Sequence, residues 1–293
     1  MAIKESKSRK LFLLVNMFLL IVACLLTFLP FMHVIAQSLS DSVAIDSGKV
    51  TIFPVNFTLD NYKYVFQDVS IWRAYGITIF ITVFGTLFNL LATASLAYPL
   101  SRREMIGRKF ILLMVLFTMI FSAPLIPTFL LVQKLGLLDT LWALILPGSI
   151  SAFNLFVMRS FFMQLPDDLI DAGRIDGLGE IRILFQIVLP LSKPALATLG
   201  IFYAVSHWNS YFGALMFIDN RKLYPLQLKL REMIVSNSVK LNDPSSDFYS
   251  SLTSSPDGIK MAAIIVATVP ILCIYPFLQK HFVKGFMLGS LKD

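Results

Sequence analysis

The chain alternates long apolar runs with shorter charged or turn-rich intervals. Six runs of transmembrane length can be drawn, near residues 11–36, 71–99, 109–132, 139–162, 195–218 and 259–280. A helix rises about 1.5 Å per residue, so about 20 apolar residues cross a hydrocarbon core of about 30 Å. Each run therefore predicts one membrane helix. Two intervals read as long, turn-rich loops: residues 37–70, with Asp41, Asp46, Gly48, Pro54, Asp60 and Asp68, and residues 219–258, with Pro225, Pro244, Ser254, Ser255, Pro256 and Gly258. The interval between the fourth and fifth runs is different. Pro166 suits the first turn of a helix, where its missing N–H has no intrahelical partner to lose. Asp167 and Asp168 favour the positive end of that helix, and Asp171, Arg174 and Ile175 share one face. Gly177 and Gly179 permit a tight turn. Ile181, Leu184, Phe185 and Val188 form an apolar stripe able to lie back on the bundle, and Pro190 and Pro194 mark the bend into the fifth run. Two short helices joined at a glycine predict a compact protrusion between membrane spans.

Composition agrees with that pattern. The chain is 56% hydrophobic and only 15% charged, with a mean hydropathy of +0.74, against about 25% charged for soluble domains. The fold class is an all-α membrane protein with one membrane domain. The organisation read from the runs is 1–70 (first helix and first outer loop), 71–282 (five further helices with the protruding segment 163–194) and a tail at 283–293. A net charge of +7 would suggest nucleic acid in a soluble protein. Here the basic residues flank the apolar runs, so they set topology and meet lipid headgroups, with no nucleic-acid partner. Lys4, Lys7, Arg9 and Lys10 precede the first run. Arg102, Arg103, Arg108 and Lys109 separate the second from the third, and Arg159, Arg174, Arg182 and Lys193 flank the protrusion. Lys280, Lys284 and Lys292 follow the sixth. The short link between the third and fourth runs has only Lys134. With six crossings, both termini and the protrusion fall on the cytoplasmic side. The first run is about twice the length of a signal-peptide core, which favours an uncleaved helix, although Val34-Ile35-Ala36 has the small-residue pattern of a cleavage site.

Catalytic chemistry is not legible. There is no G-x-x-x-x-G-K-[ST] loop to cradle nucleotide phosphates, no H-E-x-x-H and no G-x-S-x-G. His33, His207 and His281 are scattered, and Cys24 and Cys273 lie inside apolar runs without metal-ligand spacing. The reading is not an enzyme, with no cofactor or metal bound by this chain. The spans hold almost no acid or base. Ion-driven carriers usually keep one near the midplane, so an ion-coupled secondary sugar carrier is the alternative rather than the first reading. The fifth run has the richest polar patch. Tyr203, His207 and Tyr211, at i, i+4 and i+8, predict one helix face. Aromatic faces with hydrogen-bonding tips suit sugars, which makes Tyr203, His207, Asn209 and Tyr211 a candidate substrate path. Interhelical hydrogen bonding or an interfacial aromatic belt would use the same residues. Asn89 and Asn154 read as ties between helices.

The protrusion resembles the EAA motif of permease subunits of type I ABC importers: Glu-Ala-Ala, three residues, Gly, nine residues, Ile, one residue, Leu-Pro. Asp171, Ala172 and Gly173 stand at the first three positions, Gly177 at the glycine, and Ile187, Leu189 and Pro190 at the close. The departures are Asp for Glu, which keeps the charge on a shorter arm, and Gly for the second Ala. Phe57-Thr58-Leu59-Asp60-Asn61-Tyr62, Gly136-Leu137-Leu138-Asp139-Thr140, Trp208-Asn209 and the tail from Pro270 to Lys292 look like carbohydrate permeases, similar to the maltose-transporter permease family. The resemblance implies a MetI-like fold in a bacterial inner membrane. It also implies a second homologous permease, two partner ATPase subunits that carry ATP and Mg, an extracytoplasmic solute-binding protein, and an oligo- or polysaccharide as substrate. It assigns Asp168, Asp171, Ala172, Gly173, Arg174, Asp176 and Gly177 to coupling with the ATPase. By position in the last outer loop, it assigns Asn242, Asp243, Ser245 and Ser246 to contact with the binding protein.

Overall fold

The computed structural model describes residues 7–121, 123–240 and 255–290, which are helices and connecting turns with no strand among them. In chain order the helices are α1 (Lys7–Ser38), α2 (Ser42–Asp46), α3 (Asp60–Gln67), α4 (Val69–Ser101), α5 (Arg108–Ile120), α6 (Leu125–Lys134) and α7 (Trp142–Ile145). They continue with α8 (Ala152–Phe162), α9 (Asp167–Ile175), α10 (Glu180–Leu191), α11 (Lys193–Trp208), α12 (Phe212–Phe217), α13 (Leu226–Lys240) and α14 (Pro256–Ser290). Helices α1, α4 and the Pro256–Cys273 part of α14 are each long and apolar enough to cross a membrane. So are the bent pairs α5–α6 and α10–α11 when each counts as one span.

Three apolar runs are less regular than the sequence predicts. The third, expected as one helix over 109–132, is split into α5, which ends at Ile120, and α6, which begins at Leu125. The fourth, expected as one helix over 139–162, is broken between Ile145 and Ala152. Pro147 cannot donate a helical hydrogen bond and Gly148 has no side chain to pack, so the helix restarts only at Ser151, whose side chain caps the new N-terminus. The fifth, expected over 195–218, stops at Trp208 and resumes at Phe212.

The chain divides into two compact units. The first takes residues 1–69 and 230–270. Its polar centre is Asn61, 1% exposed, whose amide donates to the carbonyls of Ser38 (3.2 Å) and Ser40 (3.1 Å). Thr58 and Lys63 both hydrogen-bond the Asp60 carboxylate, at 2.8 and 2.7 Å, and start α3; the bond from Lys63, then that from Thr58, lowers the Asp60 pKa. Ser255 ties the start of α14 back to this centre, with its N–H donating to Ser42 (2.8 Å) and its hydroxyl to Asp46 (2.6 Å). Gly258 lies so close to Asn61 that a Cβ there would sit 2.6 Å from Oδ1. The Phe57–Tyr62 motif thus works as a structural knot.

The second unit takes residues 70–229 and 271–293. Its core joins α4, α8, α9, α10 and α11 through Ala94, Ala97, Tyr98, Leu155, Met158, Phe162, Ile170, Ile183, Val188 and Leu199. Alanines on α4 let neighbouring backbones approach closely, as packing in lipid requires. Helix α4 contains a π turn at Ile81–Gly85. One line of its buried positions runs Ile71, Ala74, Thr78, Ile81 and Gly85, then Asn89, Thr93, Ala97 and Ser101, with Ala94, Tyr98 and Leu100 buried beside it. A second π turn, Leu184–Val188, lies within α10. The extra residue there alters the expected stripe: Ile183, Leu184 and Val188 are buried, whereas Ile181 is 76% and Phe185 49% exposed.

Candidate coupling and translocation sites

The protrusion is α9 and the start of α10. Pro166 precedes α9 in an extended conformation, and Asp167 and Asp168 occupy its first turn. The helix ends in a Schellman arrangement. The Leu178 N–H donates to Gly173 O (2.9 Å) and the Gly177 N–H to Arg174 O (3.0 Å). This reversal needs a left-handed residue, and Gly177 supplies it with φ +77°. The inner face of α9 seats Ile170 and Gly173 on α10. A Cβ on Gly173 would meet Ile187 Cδ1 at 2.8 Å, so the third motif position must be small. Asp168, Asp171, Ala172, Asp176 and Gly177 are exposed, and Ile175 is 86% exposed.

Arg174 braces this knob. Its guanidinium reaches Glu180 (2.9 Å), Asp171 (3.2 Å) and Glu104 (3.2 Å). The bond to Glu180 does most to raise the Arg174 pKa above its ordinary value; desolvation opposes it, and Glu104 adds to it. Glu180 in turn accepts from the Tyr98 hydroxyl on α4 at 2.5 Å. A parallel tie runs from Arg102 to Asp167 (3.0 Å) and to the Phe162 carbonyl (3.0 Å). Asp171 is therefore paired within its own helix while 60% of its side chain stays exposed. Sequence reasoning missed Tyr98, Glu104 and Glu180. The one available signal was Glu180 directly after Gly179, at a helix start. A cavity of about 640 Å³ opens between α4 and α10, walled by Tyr98, Pro99, Arg102, Arg174, Glu180 and Leu184.

The second site lies where α4, α8 and α11 meet. Tyr203 and His207 share a face of α11, as their spacing predicts, and both are buried. The Tyr203 hydroxyl bonds Thr93 (2.7 Å) and accepts from the Ser151 N–H (3.1 Å). Asn89 donates its amide to His207 Nε2 (3.1 Å) and to the Gly148 carbonyl (3.4 Å), tying α4 to α11 as expected of a lone polar residue in a span. The ring presses on Gly85, where a Cβ would lie 2.7 Å from Nε2. Beside these residues is a cavity of about 460 Å³. Tyr203 and His207 line it; Asn209 and Tyr211 do not. Because α11 ends at Trp208, the i+8 extrapolation to Tyr211 does not hold. Asn209 is exposed and bonds Val205 O (3.0 Å), and Tyr211 packs with Ile81, Leu144 and Ala214 instead. Asn242, Asp243, Ser245 and Ser246 lie outside the described residues.

One further motif has a defined role. Asp139, at φ +57°, accepts at Oδ1 from the N–H groups of Asp219 and Asn220, both at 2.8 Å, and donates its own N–H to Phe217 O at 2.9 Å. The Gly136–Thr140 segment is thus clasped to the end of α12.

Comparison with known proteins gives consistent results. The family model for the inner membrane component of binding-protein-dependent transport systems matches residues 97–287. Protein LplC of Bacillus subtilis (strain 168) is 45% identical over 288 residues, covering 98% of this chain and 97% of that protein. The polygalacturonan/rhamnogalacturonan transport system permease protein YtcP of the same organism is 44% identical over 286 residues, covering 98% of this chain and 99% of that one. A chain from the crystal structure of a bacterial ABC transporter involved in the import of the acidic polysaccharide alginate superposes with a TM-score of 0.88 at 33% identity, over 96% of this chain and 100% of that chain. The apolar spans, the motif spacing and the family match over most of its length agree that the chain belongs to the inner membrane components of binding-protein-dependent transport systems.

Proposed function

We propose that this chain is one of two permease subunits of an ATP-driven importer of oligo- or polysaccharides, and that partner ATPases act on it through α9. The observation that carries this reading is the two-sidedness of α9. Its inner face is locked into the core by Ile170 and Gly173. Its outer face presents Asp168, Asp171, Ala172 and a largely exposed Ile175 to a partner. The Schellman stop and the Arg174 brace make the helix a stiff body, so a push on it is passed to α4 and α10 and not absorbed locally. ATP and Mg then belong to the ATPases, and a soluble binding protein delivers the sugar to the opposite side. Six crossings with both termini in the cytoplasm are supported by the Lys and Arg distribution. The names of the relatives support a carbohydrate substrate; by this reading Tyr203 and His207 lie on its path, and the contact with the binding protein is assigned to the 219–258 interval on the sequence pattern alone. Transport requires that the ATPase contact differ between two states of the bundle, because only differential contact shifts an equilibrium.

The test is a cysteine at Ile175 in the co-expressed assembly. Oxidative cross-linking to an introduced cysteine series on the ATPase, with a yield that changes on ATP addition, is the expected result. Absence of any nucleotide-hydrolysing protein in the purified assembly would overturn the reading.

A further inference from the structure

We propose that the cavity where α4, α8 and α11 meet is a saccharide subsite carried by this subunit itself, and that it receives neutral ring hydroxyls rather than carboxylates. This rests on the proposed transport of carbohydrate. At about 460 Å³, the cavity falls within the range of small-molecule pockets, about 300–1,000 Å³. Three features of its wall define the chemistry. Phe153 and Phe202 stand side by side, ring centroids 6.3 Å apart and tilted by 53°, with Phe153 49% exposed. Such a pair offers an apolar platform to the C–H face of a sugar ring. Around it stand the polar groups of Ser151, Asn154, Ser206 and Ser210. Finally, Asn89, 1% exposed, backs the same wall, and its Oδ1 is sealed from the cavity with no hydrogen-bond partner among the described residues. A buried carbonyl left unpaired is costly. A sugar hydroxyl, which both donates and accepts, suits a wall that mixes the Asn154 amide with serine hydroxyls.

The wall also excludes an alternative. No Lys or Arg lines the cavity among the described residues, and its one histidine, His207, is buried and engaged by Asn89. A carboxylate taken out of water without a counter-charge is strongly disfavoured. An acidic oligosaccharide would thus present its hydroxyl edge here and keep its carboxylates elsewhere. Tyr203 shapes the wall, but its hydroxyl is already engaged by Thr93 and Ser151. The sugar-facing residues are therefore Asn154, Ser206, Ser210 and the phenylalanine pair.

The experiment uses the whole importer in proteoliposomes, loaded with its binding protein. The probes are a tritiated galacturonate trimer and its fully methyl-esterified form. Two variants are compared with the native chain: Asn154→Ala/Ser206→Ala, which removes the polar contacts, and Ser206→Trp, which fills the cavity. The expected result is a fall of about tenfold in the uptake of every probe that the native importer carries, with assembly and ATPase activity without sugar unchanged. Because the lost contacts are to hydroxyls, the fall should be of the same size for acid and ester. Native uptake rates in both variants would overturn the subsite. A loss confined to the acid would overturn its neutral chemistry. If the native importer moves neither probe nor any other oligosaccharide, the underlying reading of carbohydrate transport fails instead, and that result is distinct from the first two. A variant that does not assemble is replaced by Phe153→Leu, for which the same two outcomes apply.

Discussion

The hydroxyl of Tyr98, near the end of α4, donates to the carboxylate of Glu180, the first residue of α10. The same carboxylate holds Arg174 of α9. One acid therefore connects the EAA-like helix to a membrane-spanning helix. Individually, exposed ion pairs of this kind contribute about 0–1 kcal/mol. The Tyr98 bond differs because the ring is 5% exposed and the acceptor is charged. Tyr98→Phe should lower stability by about 1.5 kcal/mol, the low end for bonds to charged groups, because Glu180 can rehydrate. Sugar-stimulated ATP hydrolysis should fall further than unstimulated hydrolysis. Both are measured on the purified assembly, by thermal unfolding at fixed scan rate and by phosphate release. Equal effects on the two hydrolysis rates would make the bond merely structural.

Gly177 separates conformational from steric effects. Nothing lies within 4 Å of where its Cβ would be, yet its φ is +77°. Gly177→Ala should therefore cost about 1–2 kcal/mol through backbone strain alone. Gly177→Asn should recover part of that, since Asn visits the left-handed region more readily. Hydrogen exchange over residues 167–180 measures the difference: faster in the Ala variant, intermediate in the Asn variant.

Gly85 and Gly173 make an opposite pair. A Cβ on Gly85 meets the His207 ring at 2.7 Å, and that ring is buried and held by Asn89. Gly85→Ala should destabilise by about 1–3 kcal/mol, as overpacking does. A Cβ on Gly173 clashes with the terminal methyl of Ile187, at 2.8 Å, and makes ordinary contact with Ile183 and Leu178. That methyl can rotate away, and alanine gains about 0.5–1 kcal/mol of helix preference. Gly173→Ala should leave stability within about 0.5 kcal/mol and preserve transport. Side-by-side melting curves and uptake assays test both.

Asp139 clasps two backbone N–H groups while adopting a left-handed conformation. Asp139→Ala loses the acceptor and adds strain, with an expected cost of about 1–2 kcal/mol, softened because water can replace the carboxylate. Asp139→Asn keeps an oxygen at Oδ1 and the conformational tolerance, and should retain most of the native stability. The midpoint of thermal unfolding distinguishes the two.

Local signals made part of this molecule legible. Pro166, the paired acids and Gly177 bounded α9 because capping and chirality act within a few residues. Tyr203 and His207 were placed on one face because a single helical turn separates them. The breaks in the fourth and fifth runs were hidden, since hydropathy averaged over a span does not register Pro147 or the stop after Trp208. The π turns were equally silent: Ile81–Gly85 and Leu184–Val188 are ordinary apolar segments, and only neighbouring helices show why they widen. Nothing local could pair Tyr98 with Glu180 or Arg174 with Glu104, because chain topology alone brings such distant positions together.

Beyond the π turn of α4, the buried positions Gly85, Asn89, Thr93, Ala97 and Ser101 are four apart, and Ala94, Tyr98 and Leu100 are buried beside the later ones. At 3.6 residues per turn, each such step advances the contact line by about 40°, or about 160° over that stretch. The rod is consequently gripped on nearly opposite flanks, by the His207 imidazole at one end and near the Arg102 tether at the other. A turn of α4 about its axis at the Tyr98 end would therefore be felt at Gly85 on the far flank, against the His207 ring.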